Sequence, residues 1–229
     1  MIKIRRASER GHIQQHWLNT HHTFSFGEYH DPKHMHFRSL RVINEDYVKP
    51  NSGFPFHNHM DMEILTYIIS GELQHKDSLN NTSIIHRGEI QLMRAGTGIT
   101  HSEFNPSKDT EVHLLQIWII PNTKGLEPFY QQKQFYLSDN MEKLVLIASN
   151  DGENNSFTIA QDVKIYAAIL EDTKLDYSIK PKRNIWIQIV EGNLEINGYS
   201  VASGDGIAIT DELAISITGR GEFILFDLN

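Results

Sequence analysis

Apolar residues fall in short runs along most of this chain, and Gly, Pro, Asn or Asp closes each run. EILTYIISG, HLLQIWIIP, IWIQIVEGN and EFILFDLN are rich in Ile, Val and aromatics. Short apolar or alternating stretches with β-branched enrichment and turn residues at their ends predict strands. Helical spacing is weak everywhere. Its best candidate is one or two turns in LEPFYQQKQF, residues 126–135, where Pro128 suits a first helical turn.

A weak internal repeat extends the pattern. LTYIISGELQHKDS resembles IWIQIVEGNLEING, each an apolar strand ending in Ser-Gly or Glu-Gly before another strand. A Gly-acidic pair follows each copy, at Gly88 and at Gly204. Repeated short strands with glycine turns predict an all-β protein of two tandem β-barrels with little helix. The segment around Pro128 is the expected linker.

Composition narrows the chemistry. With 229 residues the chain can bury one large core or two smaller ones. It has no cysteine, so disulfides, zinc ribbons and thiol nucleophiles are excluded, and any metal must be held by nitrogen and oxygen. The opening MIKIRRASERGH has no apolar run of signal-peptide type. No window approaches the ~18 uninterrupted apolar residues of a membrane helix. A cytoplasmic protein with no membrane contact is expected.

The formal charge of −8 is uneven: residues 1–126 carry 13 basic against 13 acidic side chains, residues 127–229 carry 8 against 16. Phosphate binding needs a basic surface, so direct nucleic-acid binding is not expected. Histidine is skewed the other way, all 13 lying at or before His113. The chemistry therefore belongs to the first half.

Two stretches carry it. FPFHNHMDMEILTYIISG holds His57 and His59, and RAGTGITHSEF holds His101 and Glu103. Both pairs are spaced i, i+2, so on a strand each pair points to one face. Two such strands side by side would converge three imidazoles and a carboxylate on one point. Such a set suits iron, manganese, nickel, copper or zinc. Four ligands in an octahedral sphere leave two positions for a substrate and dioxygen. One carboxylate against a divalent cation leaves a formal charge of +1, which favours an anionic ligand such as an ionised phenol. Glu63 has the same parity as His59 and competes for the carboxylate role. His34 and His36, in DPKHMHF, follow a turn and are expected on a loop surface. Phe54 and Phe56 alternate with the histidines and are expected on the opposite face, as entrance lining or core. Phe24 and Phe26 pose the same choice.

The blocks HTFSFGEYHDP, RVINEDYV, GFPFHNHMDMEILTYIISGELQHKDS, RGEIQLMRAGTGITHSEFNPS and LQIWIIPNTKGLEP resemble the pirin branch of the cupin superfamily. The likeness extends over nearly the whole chain and is greatest to bacterial pirin-like quercetinases. It implies a bicupin of two antiparallel jelly-roll barrels facing each other, residues 1–130 with the metal and residues 131–229 without. It implies His57, His59, His101 and Glu103 as ligands to one divalent transition metal, Fe(II) first, with Ni, Mn, Cu, Co or Zn as alternatives. Glu63 then becomes a non-ligand, either a support to a ligand or a core polar group. The implied activity is opening of a flavonol such as quercetin by O2 with release of carbon monoxide, Glu103 also serving as proton acceptor. The alternative is a metal-dependent redox sensor or protein-interaction module without turnover, with a protein partner. A monomer is expected.

Two positions depart from the family pattern. Met60 stands where Arg is frequent, and Arg94 where general cupins carry Pro. In the second barrel, Ser178 and Lys180 fall where His57 and His59 lie in the first.

Overall fold

The structure, a computed structural model, describes residues 1–229. The short apolar runs lie within strands, and the chain forms nineteen strands in all, with three short 3-10 turns and no α-helix. The first twelve are β1 (Ile2–Arg5), β2 (Gly11–Gln14), β3 (Leu18–His22), β4 (Leu40–Val48), β5 (Ser52–His59), β6 (Glu63–Ser70), β7 (Glu72–Asp77), β8 (Thr82–His86), β9 (Glu89–Arg94), β10 (Ile99–Asn105), β11 (Val112–Ile119) and β12 (Phe129–Gln134). The rest are β13 (Val145–Ser149), β14 (Phe157–Thr158), β15 (Val163–Ser178), β16 (Asn184–Ile196), β17 (Tyr199–Ala202), β18 (Gly206–Ile209) and β19 (Ala214–Leu228). The all-β expectation holds.

The strands form two compact units, Gly11–Phe135 and Met1–Arg10 with Tyr136–Asn229. A division at 130/131 therefore differs from the structure in two ways. β1 belongs with the second unit, where it pairs antiparallel with β18 and sets Ile2 opposite Ile209. Residues 129–134, read above as helical, extend along β9 as β12, Phe129 opposite Arg94. The open edge of β9 offers backbone partners, and the Arg94 guanidinium sits 4.4 Å over the Phe129 ring. A segment with no strong apolar stripe follows such a tertiary offer.

The first unit contains a four-stranded sheet, β5-β10-β7-β8, and a seven-stranded sheet, β12-β9-β6-β11-β4-β3-β2. The second is an eight-stranded sheet in the order β1-β18-β16-β19-β15-β13-β14, with β17 beside β16. Only the short β13–β14 pair is parallel. The sequence repeat has a backbone cause. Gly71 and Gly192 both have positive φ, 77° and 90°. A Cβ on either would meet a carbonyl of the neighbouring chain, Glu111 O at 2.8 Å and Arg220 O at 2.3 Å. Any other residue is strained there.

The two interiors differ in kind. The second unit is filled by aliphatics and Phe, among them Ile185, Ile187, Ile207, Ile217, Phe223 and Leu225. Ser178 and Lys180 are exposed there, and Ile179 between them is buried. The first unit divides its apolar packing between one cluster around Val48, Ile68, Ile85 and Leu114 and another around Ile64, Met93 and Ile99. It also buries Asp46, Glu63, Thr66, His75, Asp77, Gln91, His101, Glu103 and Gln116. Buried polar groups at this density need partners or a ligand.

Candidate functional site

β5 and β10 run antiparallel, with His57 opposite His101 and His59 opposite Ile99. Directly paired residues share a face, so the three imidazoles meet on one side of the sheet. Ring centroids are 4.7 Å apart for His57–His59, 4.4 Å for His57–His101 and 4.9 Å for His59–His101. One nitrogen from each lies within 4.8 Å of the others. His34 and His36 stay in their loop, His34 paired with Asp31 at 2.7 Å and His36 exposed.

The pairing contains a bulge that strand parity alone misses. One residue lies between His101 and Glu103 on β10, whereas two lie between their partners His57 and Phe54 on β5. The extra residue flips the face of what precedes it. Phe54 therefore turns onto the cavity wall and meets Trp17 edge-on at 5.0 Å, while Phe56 points out and is 62% exposed. The expectation that Phe54 lies opposite the histidines is corrected accordingly. The bulge also brings the Pro55 carbonyl within 2.8 Å of His57 Nδ1. A carbonyl only accepts, so His57 carries its proton on Nδ1 and presents Nε2 as a lone pair.

Glu103 is buried and lines the same cavity, but its carboxylate stands outside the imidazole cluster. Gln116 Nε2 donates to both carboxylate oxygens at 2.7 Å. Thr66 Oγ1 lies 3.4 Å from Oε1 and accepts from Gln91 Nε2 at 3.1 Å. This buried amide and hydroxyl network fixes the orientation of the Glu103 carboxylate. Glu63, fully buried, accepts from Arg94 Nε at 2.6 Å and is not among the groups that converge with the three imidazoles. The departure at position 94 thus supplies the countercharge for the first-motif carboxylate.

The histidines open onto a cavity of about 310 Å³. Phe26, Phe54, Ile64 and Trp118 form apolar walls, with Trp118 edge-on to His59 at 4.9 Å and to Phe26 at 5.3 Å. A second cavity of about 300 Å³ shares Phe26, Asn44, Asp46 and Phe54 with the first. Phe24 is buried core. Burial lowers His59 to about 4, with His101 and His57 adding to the effect. Burial and then His57 and His75 lower His101 to about 3. Both rings are therefore neutral at pH 7, the state that binds a cation. His101 Nε2 is buried with no hydrogen-bond partner, a loss of about 1–3 kcal/mol for an unsatisfied group. Neutral converging imidazoles, one with an orphaned nitrogen, fit a transition-metal ion.

Sequence reading passed over Trp118, Gln116, Asp46, His75 and Asp77. For the last two a signal was present: HKD repeats the i, i+2 spacing of the other two pairs.

Residues 3–119 match the Pirin family model, and residues 146–228 match the model for the quercetinase C-terminal cupin domain. The chain is 46% identical over 231 residues to a quercetin 2,3-dioxygenase of Escherichia coli K12, covering 100% of this chain and 99% of that one. It is 43% identical over 235 residues to a putative quercetin 2,3-dioxygenase of Pasteurella multocida, covering 100% of both. Among solved structures, YhhW from Escherichia coli superposes with a TM-score of 0.96 at 45% identity, covering 100% of this chain and 98% of that one. The nickel(II) complex of bacterial pirin YhhW gives 0.95 at 45% identity, with 100% and 99% covered. Paired histidine strands, a two-unit all-β fold and full-length similarity converge on one conclusion: this chain belongs to the pirin family.

Proposed function

We propose that the protein is a metal-dependent dioxygenase that opens flavonols such as quercetin with O2 and releases carbon monoxide. In this reading His57, His59, His101 and Glu103 hold one divalent transition metal, Fe(II) first. Nickel(II) is the ion in the relative's structure. The observation that carries the proposal is the convergence of three imidazoles, one with an orphaned buried nitrogen, at the floor of an aromatic-walled cavity.

When bound, the ion supplies Lewis acidity toward an ionised hydroxyl and a route for electrons to dioxygen. The chain's own groups do the rest. Phe26, Phe54 and Trp118 present faces and edges on which a flat polyphenol can pack. Glu103, oriented by the Gln116 amide, accepts the proton of the substrate hydroxyl. The apolar walls keep bulk water from the reacting carbons. The adjoining cavity at Asp46 and Asn44 leaves room for the remainder of a three-ring substrate. A sensor without turnover needs a solvent-reachable ion but no such cavity, so an aromatic-walled space of about 310 Å³ beside the histidines favours the enzyme.

The test is anaerobic purification, loading with Fe(II), and measurement of flavonol absorbance together with oxygen uptake, beside His101→Ala. Turnover by the wild type that disappears in the variant is expected. Equal slow decay in both overturns the proposal.

A further inference from the structure

On β7, Asp77 lies opposite His101 and His75 opposite Glu103 of β10. Three neighbouring strands, β5, β10 and β7, thus each place an i, i+2 polar pair on the same face of one sheet. His75 is fully buried and Asp77 nearly so. His75 Nε2 lies 3.0 Å from Asp77 Oδ2, and His75 Nδ1 lies 3.5 Å from His101 Nδ1. The far side of the His101 ring carries the unpartnered Nε2.

We propose that His75 and Asp77 are positioning residues whose one-way chain of hydrogen bonds holds His101 in its Nδ1–H form and leaves the Nε2 lone pair for the metal. The proposal rests on reading His101 as a ligand. Its logic is a count of protons along the chain. Asp77 is a fixed acceptor: Leu79 N and Asn81 N donate to Oδ1 at 2.9 and 3.0 Å, and Asn81 Nδ2 donates to Oδ2 at 2.9 Å. A carboxylate cannot donate, so His75 carries its proton on Nε2 and has a lone pair on Nδ1. Two lone pairs cannot face each other at the next contact, so His101 must donate from Nδ1. Its single proton is then committed, and Nε2 is free. The 3.5 Å contact is long for a hydrogen bond. The selection therefore comes more from excluding the opposed-lone-pair arrangement than from bond strength. The Tyr130 ring stacks on His75 at 4.5 Å and 22°, which keeps the relay ring from turning. His57 reaches the same Nδ1–H form through the Pro55 carbonyl, so two imidazoles are set by different means.

Asp77→Asn tests the chain without removing bulk. The new Oδ1 keeps the two backbone donors, which places the amide Nδ2 against His75 Nε2. A donor there reverses both tautomers and puts the His101 proton on Nε2, where the metal would bind. Imidazole nitrogen–proton correlation NMR on the metal-free protein should show His75 Nε2–H and His101 Nδ1–H in the wild type, and the reverse in Asp77→Asn. Nickel(II) affinity, measured by competition with a chromogenic chelator, should fall by about 10- to 100-fold in Asp77→Asn and in His75→Phe. A wild-type His101 protonated on Nε2, or a His75 protonated on both nitrogens, overturns the proposal. So does nickel affinity that is unchanged in Asp77→Asn while His101→Ala loses it. Equal nickel binding by the wild type and His101→Ala instead overturns the metal assignment itself.

Discussion

Buried Glu63 and half-buried Arg94 close an ion pair, Nε to Oε1 at 2.6 Å, across the strands that carry them. That pair engages the carboxylate that strand parity places beside His59 as a candidate ligand. Breaking a buried pair leaves a desolvated charge, a cost of about 3–5 kcal/mol. Arg94→Met should lower stability by about 3 kcal/mol, and Glu63→Gln combined with Arg94→Met should recover most of it. Urea denaturation of the wild type, both single variants and the double variant checks this. Additive losses in the double variant would reject a direct pair.

Glu103 should separate binding from chemistry. Glu103→Gln leaves three imidazoles for nickel but offers an amide that cannot take a proton. Flavonol turnover should drop about 10²-fold or more while nickel still binds. Wild-type turnover in this variant would remove Glu103 from proton transfer.

Gly53 sets how closely β5 approaches the site. A Cβ there would fall 2.2 Å from Glu103 O and 2.6 Å from Phe104 Cα, backbone atoms that cannot rotate aside. Gly53→Ala should cost about 1–3 kcal/mol in overpacking and weaken nickel binding as the strands part. Phe56→Ala, at an exposed position on the same strand, should stay within about 0.5 kcal/mol and bind nickel normally. Paired urea and nickel titrations decide; equal effects at both positions would argue against close approach as the cause.

Acid stability of the metal-free protein should reflect two opposed groups. His59 and His101 titrate at about 4 and about 3 in the fold, against 6.5 in the open chain. As pH falls below 6.5 the unfolded chain takes up protons first, so their contribution is lost. Asp46 runs the other way. Burial first, with the charges of Glu103 and Glu45, raises it from 3.8 to about 7, so its contribution is whole below pH 3.8 and lost as pH rises to about 7. Asp46→Asn removes only this second term. Its stability should therefore fall more steeply than the wild type's between pH 7 and pH 4, read from urea midpoints. Parallel curves would show that Asp46 is not the source.

What the sequence determined by itself was everything that depends on near neighbours along the chain. Apolar, β-branched runs closed by turn residues marked the strands around Ile64–Ile69 and Ile185–Val190, and the i, i+2 rule put His57 with His59 and His101 with Glu103 on common faces. The chain's tertiary pairing decided the rest. One extra residue between His57 and Phe54 reversed the phenylalanine's face, and a bulge depends on the partner strand's register. Residues 129–134 became a strand because β9 had an edge to offer, and β1 joined the second unit because β18 did. The partners of buried charges were also out of reach of local pattern. Arg94 for Glu63 and Gln116 for Glu103 come from other strands, so only the assembled sheets select them. Periodicity is a property of adjacent residues, whereas register and charge partnership are settled by contacts between residues distant in sequence.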